Sequence, residues 1–300
     1  MKKWIFATVC GVFLCVLFAC GAMDQAQAAA PLAEDMSQVR TTLTMLSEEL
    51  DSVQILARTS SIVLSADSGG ETAIYEYRPS SGAYRRMAPP VEGNWEVTAA
   101  TASPDGYLWV VLVSEEQCVL LKSGQGSVLL QQDLGDFVPE TIRCDSAGHV
   151  FAASEGTVRR YSPDGALQGT LTLPNRSEVA EVTFAAKQDR VFLRVRRTGE
   201  KSVYMELMSD MTLGDGFDAC VTNWNVSPIG SFLKDYLVME ADNVGLYAYR
   251  ENGGWETVCL WEEQHLDGTV DKHLISDIQG GGVVRYEKDG QVYCLNLSPS

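Results

Sequence analysis

The sequence predicts an all-β fold, a β-propeller of six four-stranded blades closed by an N-terminal strand. Three observations carry that prediction: a repeat of near-constant length, turn motifs at matching places within it, and strands that are apolar on both faces. Apolar strands begin at Ile62, Tyr107, Val150, Val191, Tyr236 and Val283, at separations of 45, 43, 41, 45 and 47 residues. Their partner strands end at Tyr77, Leu121, Tyr161, Leu207, Tyr249 and Leu295, separated by 44, 40, 46, 42 and 46. Two independent markers thus keep one period. A unit of about 40–45 residues with four short strands is a propeller blade, because one four-stranded sheet cannot bury both its faces and has to stack against neighbours.

Residues 1–19 read as a signal peptide. Lys2 and Lys3 precede an apolar run from Trp4 to Phe18, the order of a secretory leader, and the run is shorter than the roughly 20 residues a permanent membrane helix needs. Leu17-Phe18-Ala19-Cys20-Gly21 resembles the bacterial lipobox, although Phe18 departs from the small or β-branched residue usual there. The resemblance implies that Cys20 is lipidated and becomes the mature N-terminus. Cleavage near Ala28-Ala29-Ala30 is the alternative. Residues 20–38, rich in Ala, Gln, Asp and Met, read as a lipidated Cys followed by a flexible tether, and residues 39–300 as the propeller.

Within the propeller, blades are expected from Asp51 to Ala88, Trp95 to Leu134, Glu140 to Leu173, Val179 to Leu213 and Cys220 to Trp261, with a sixth starting near His273. Tyr107 to Val113 is apolar throughout, as a strand sandwiched between two blades has to be. Ser103-Pro104-Asp105-Gly106 and Ser162-Pro163-Asp164-Gly165 read as hairpin turns, Pro presetting φ and Gly supplying positive φ. The sixth blade holds only three strand candidates. Thr42-Leu43-Thr44-Met45 matches Thr170-Leu171-Thr172-Leu173, the outer strand of blade three, so the N-terminal strand is expected to complete blade six and close the ring. An amphipathic helix over 36–57, started at Ser47-Glu48-Glu49-Leu50, is the alternative.

Net charge is −17 over the chain and −19 without Lys2 and Lys3. Nucleic acid and anionic membrane surfaces are disfavoured as partners on that balance, since both need a basic footprint. Cys118, Cys144, Cys220, Cys259 and Cys294 fall in separate strands with neither C-x-x-C nor zinc spacing, and read as small buried thiols. No H-E-x-x-H, G-x-S-x-G or Walker loop is present. His265 and His273 with Glu262, Glu263 and Asp271 read as a solvated acidic connection rather than a metal site, and Asp215-Gly216-Phe217-Asp218 as a turn too short for a calcium loop. No catalytic residue, metal ligand or cofactor is assigned. Trp109 is expected in the core. Trp95 and Trp224, where an outer strand hands over to the next inner one, are the candidates for stacking on a ligand.

These turns and the repeat resemble lipid-anchored extracytoplasmic propellers of the TolB, NHL and WD type. Gly245-Leu246-Tyr247-Ala248-Tyr249, Trp255 to Trp261 and Ile275-Ser276-Asp277-Ile278 resemble the propeller-like N-terminal part of some solute-binding lipoproteins of ABC importers. The expectation is a non-catalytic surface propeller on the outer side of a bacterial membrane, held there by Cys20. It would bind or scaffold an unidentified protein or a small polar or carbohydrate ligand. One alternative is an accessory or solute-recognition module of an ABC-type carbohydrate or peptide importer. The other is a propeller lactonase or lyase, which requires Glu, Asp and Asn to converge in the central channel.

Overall fold

Successive strands pair in order to build four-stranded antiparallel sheets. The computed structural model describes residues 40–45, 50–58, 61–68, 71–86, 95–124, 127–174, 179–187, 190–197, 203–218, 226–233, 236–241, 245–250, 255–260, 273–276, 282–288 and 291–298. Cys20, Trp224, His265 and the segment 261–272 lie outside them. The described residues are all-β, with no helix. Strand β1 (Arg40–Met45) precedes the first sheet, which holds β2 (Asp51–Arg58), β3 (Ile62–Ser68), β4 (Glu71–Arg78) and β5 (Ala83–Arg86). The second holds β6 (Glu96–Ala102), β7 (Leu108–Val113), β8 (Cys118–Gly124) and β9 (Ser127–Asp133). The third holds β10 (Thr141–Cys144), β11 (Val150–Ser154), β12 (Thr157–Tyr161) and β13 (Leu167–Thr172). The fourth holds β14 (Val179–Lys187), β15 (Arg190–Arg197), β16 (Val203–Leu207) and β17 (Leu213–Asp218). The fifth holds β18 (Val226–Leu233), β19 (Tyr236–Ala241), β20 (Gly245–Arg250) and β21 (Trp255–Leu260).

The last sheet is assembled from both ends of the chain. Strands β22 (His273–Ser276), β23 (Gly282–Lys288) and β24 (Gln291–Ser298) take β1 as their fourth strand, in the order β1-β24-β23-β22. Six residue pairs, from Arg40 opposite Ser298 to Met45 opposite Tyr293, join β1 to β24. Residues 40–45 and 51–58 are therefore strands, not the alternative helix. The inner strands touch in the cyclic order β2, β6, β10, β14, β18, β22 and back to β2. Arg285 of β23 reinforces the seam, its Nε donating to the Val53 carbonyl of β2 at 2.7 Å.

The apolar residues of β7 explain the stacking. Alternate side chains of a strand point to opposite faces. Leu108, Val110 and Leu112 pack with Leu56, Val63 and Ile74 of the first sheet. Trp109 and Val111 pack with Ile142, Val150 and Ala152 of the third. Phe151, Ala153 and Val158, on the opposite face of the third sheet, meet Phe184, Val191 and Leu193 of the fourth. Val283 and Cys294 of the last sheet meet Ile55, Ile62 and Leu64 of the first. The first, second and third sheets are thus each buried by both neighbours, at roughly 1.5–3 kcal/mol per large side chain removed from water. Gly106 and Gly165 close their hairpins with φ of +81° and +82°, which Gly adopts without a Cβ penalty. Asp215-Gly216-Phe217-Asp218, expected as a turn, instead lies in β17, with Phe217 opposite Tyr204 and Asp218 opposite Val203. A register shift in the same pairing accommodates the glycines.

Candidate functional site at one mouth of the ring

Each sheet is entered at its inner strand, after the outer strand of the sheet before it, so the inner strands run the same way and their first residues gather at one mouth. Four neighbouring inner strands bring chemistry there. His273 is the first residue of β22, Asp51 of β2 and Glu96 of β6, and Glu140 immediately precedes β10. Glu96 and Glu140 are exposed.

Two bonds between sheets hold these starts together. Thr98 Oγ1 donates to the Pro139 carbonyl at 3.2 Å, tying β6 beside Glu96 to the segment that carries Glu140. Arg285, opposite His273 in the register of β22 with β23, makes the bond to Val53 described above, two residues from Asp51. Its Nη2 also donates to Glu287 Oε2 at 2.8 Å, which fixes the guanidinium. Beside Asp51, the exposed Ser52 has a φ of +53°, a left-handed conformation that costs a non-Gly residue on the order of 1–3 kcal/mol and concentrates at functional sites. Glu96 and Glu140 put two exposed carboxylates at the mouth, a residue type of general acid–base chemistry.

Trp95 precedes Glu96 at this mouth. It is half-buried and packs with Val97, Ala100 and Ala102 against the cluster between the first and second sheets. Trp224 lies outside the described residues. Trp109 is fully buried. Of the acidic group weighed as a metal site, only His273 is described, and it is in a strand. Among the described residues no group of three or more His, Cys, Asp or Glu stands close enough to hold a metal ion.

A His–carboxylate pair sits at the opposite end of β10. Asp145 Oδ1 accepts the N–H groups of Ala147 at 3.0 Å and His149 at 2.8 Å, and Oδ2 lies 2.9 Å from His149 Nδ1. The Asp side chains at the start of this turn and within the turns after Ser103 and Ser162 do related work. Asp105 and Asp164 accept from the hydroxyls of Ser103 and Ser162. The His149 pair is accordingly a turn clamp.

Sequence reasoning missed the mouth because its residues are never close in the chain. A signal was nonetheless present: Asp51, Glu96 and Glu140 recur 45 and 44 residues apart, the period of the repeat.

No family model matches the chain, and no curated protein matches its sequence. Solved structures match its fold. A gluconolactonase from Xanthomonas campestris superposes with a TM-score of 0.58 at 10% identity, over 91% of this chain and 96% of that one. A streptogramin B lyase does so with a TM-score of 0.54 at 11% identity, over 89% of this chain and 100% of that one. The PQQ-bound aldose sugar dehydrogenase from Streptomyces coelicolor gives a TM-score of 0.50 at 12% identity, over 90% of this chain and 100% of that one. At such identities the likeness shows the fold, which is a β-propeller. These neighbours are enzymes, and they overturn the expectation of a non-catalytic binding or scaffolding module. That expectation rested on the anchor, the tether and the missing catalytic motifs, and a ring that gathers residues from separate sheets needs no linear motif.

Proposed function

We propose that the chain is a propeller enzyme of lactonase or lyase type, acting at the mouth where the inner strands begin. The observation that supports this most is the juxtaposition of His273, Asp51, Glu96 and Glu140 on four consecutive inner strands. A carboxylate there serves as general base and the imidazole as general acid. In a lactonase, the base takes a proton from water as its oxygen adds to the ester carbonyl, and the acid protonates the departing alkoxide. In a lyase, the base removes a proton from the carbon next to the carbonyl, a double bond forms, and the leaving oxygen departs protonated. Trp95, beside Glu96, supplies a wall for the substrate. The experiment is to incubate the purified chain with sugar lactones and cyclic ester-linked peptides and weigh the products. A gain of one water identifies hydrolysis; ring opening without change in mass identifies elimination. Turnover no faster than buffer for the whole panel would overturn the proposal.

The leader and Leu17-Phe18-Ala19-Cys20 support an export signal and a lipid anchor, and with them the reading of a propeller of the TolB, NHL or WD sort tethered on the outer side of a bacterial membrane. Cys20→Ser is expected to abolish lipid labelling and release the protein to the medium. Undiminished membrane retention of that variant would contradict the anchor.

A further inference from the structure

At the face opposite this mouth, a cavity of about 160 Å³ opens between the first and second sheets. Its walls come from Ser61 in the β2–β3 turn, Glu76 and Arg85 on β4 and β5, Asp105 and Tyr107 in the β6–β7 turn, and Gly124 at the end of β8. A dry cavity of about 150 Å³ accommodates one benzene ring. This one therefore takes a ligand of one six-membered ring, but its walls are polar.

The polar groups are charged yet already balanced. Glu76 Oε1 accepts from Ser61 Oγ at 2.8 Å, and Oε2 pairs with Arg85 Nη2 at 2.8 Å. Burial alone would raise the Glu76 carboxyl, but the Ser61 bond and the Arg85 and Arg78 charges hold it below its ordinary value. Asp105 takes the Ser103 hydroxyl on one oxygen, and Lys122 Nζ stands 3.8 Å from the other. Arg85 and Asp105, each 53% exposed at its side chain, line the cavity from the first and the second sheet. Arg85 offers further N–H donors in a fixed fork, and Asp105 offers further acceptor capacity. A molecule with adjacent donors and acceptors and no net charge bridges them without disturbing either ion pair.

We infer that this cavity is a binding site for a neutral cyclic polyol, a single pyranose unit, separate from the catalytic mouth. The close seat of Tyr107 fits that role. A Cβ added at Gly124 would overlap the Tyr107 ring, while Lys122 Nζ lies 4.7 Å from the ring centroid. The ring is thus held as a rigid wall.

The test is a calorimetric titration and saturation-transfer NMR of the full chain in mild detergent with neutral hexoses, free amino acids and inorganic phosphate. At least one hexose is expected to bind. Arg85→Ala and Asp105→Asn, both at exposed side chains, should each weaken it by about tenfold or more, as loss of a hydrogen bond to a charged group does. In the unsubstituted protein, that hexose should slow hydrogen exchange in residues 83–86 and 103–107. Three outcomes overturn the inference: no hexose binds, an amino acid or phosphate binds in its place, or hexose binding survives both substitutions unchanged.

Discussion

Buried thiols carry the first consequence at the scale of single residues. Cys118, Cys144 and Cys294 are free and buried. Burial first, and for Cys144 then the neighbouring Asp145 and Asp105 charges, pushes the thiols up to about 11 in Cys118 and about 12 in Cys144 and Cys294. The thiolate is the reactive form. Native protein at about pH 8 is therefore expected to resist iodoacetamide at these positions and to take it up in denaturant, which mass spectrometry of digests reads directly. Glu206 behaves in the opposite sense. Arg190 donates to its two oxygens at 2.9 and 2.8 Å. Those bonds hold the carboxyl below its ordinary 4.5, although burial opposes them. A carboxyl depressed in the folded state contributes stability above its unfolded value and loses it as pH falls through the folded one. The pair is thus expected to help above about pH 4.5 and to fade below it. Thermal melts of Glu206→Gln and the unsubstituted chain should converge between neutral pH and about pH 3; a gap that stays constant would contradict the assignment.

Among the elements, β1 has the largest consequence. Its match to Thr170-Leu171-Thr172-Leu173 made it legible, because an outer strand has the same alternation wherever it lies in the ring. The turn after Ala102 was legible through Pro104 and Gly106, which dictate φ locally. Asp215-Gly216-Phe217-Asp218 was misread for the converse reason. Two Asp and a Gly favour a turn by themselves, but pairing along β16 overrides that local preference. The boundary expected at Leu213 therefore moves to Asp218. Deleting residues 21–47 removes β1 and the six residue pairs that tie it to β24, at a cost on the order of a few kcal/mol. At roughly 2–4 °C per kcal/mol for a domain of this size class, the melting temperature should fall visibly. Deleting residues 21–36 should leave it unchanged. Equal melting temperatures for both truncations and the chain from residue 21 would mean that β1 does not close the ring.

For the whole molecule, ring closure does what the linear sequence could not display. Glu96 and Glu140 are 44 residues apart, yet Thr98 and Pro139 bind one another across the sheets that carry them. His273 and Asp51 stand at opposite ends of the chain, and the Arg285 bond to Val53 brings their strands side by side. Fold was readable because period, alternation and turn chemistry are local and repeat. The mouth was not, because it exists only once the first and last sheets meet. The central claim is that this mouth is catalytic, and the most direct measurement is kcat/KM for the substrate that the chain turns over, compared among the unsubstituted protein, Glu96→Gln, Glu140→Gln and His273→Ala. Loss of a general acid or base is expected to lower kcat/KM by about 10²–10⁴-fold in at least one variant, with melting temperature retained. Undiminished kcat/KM in all three would contradict it.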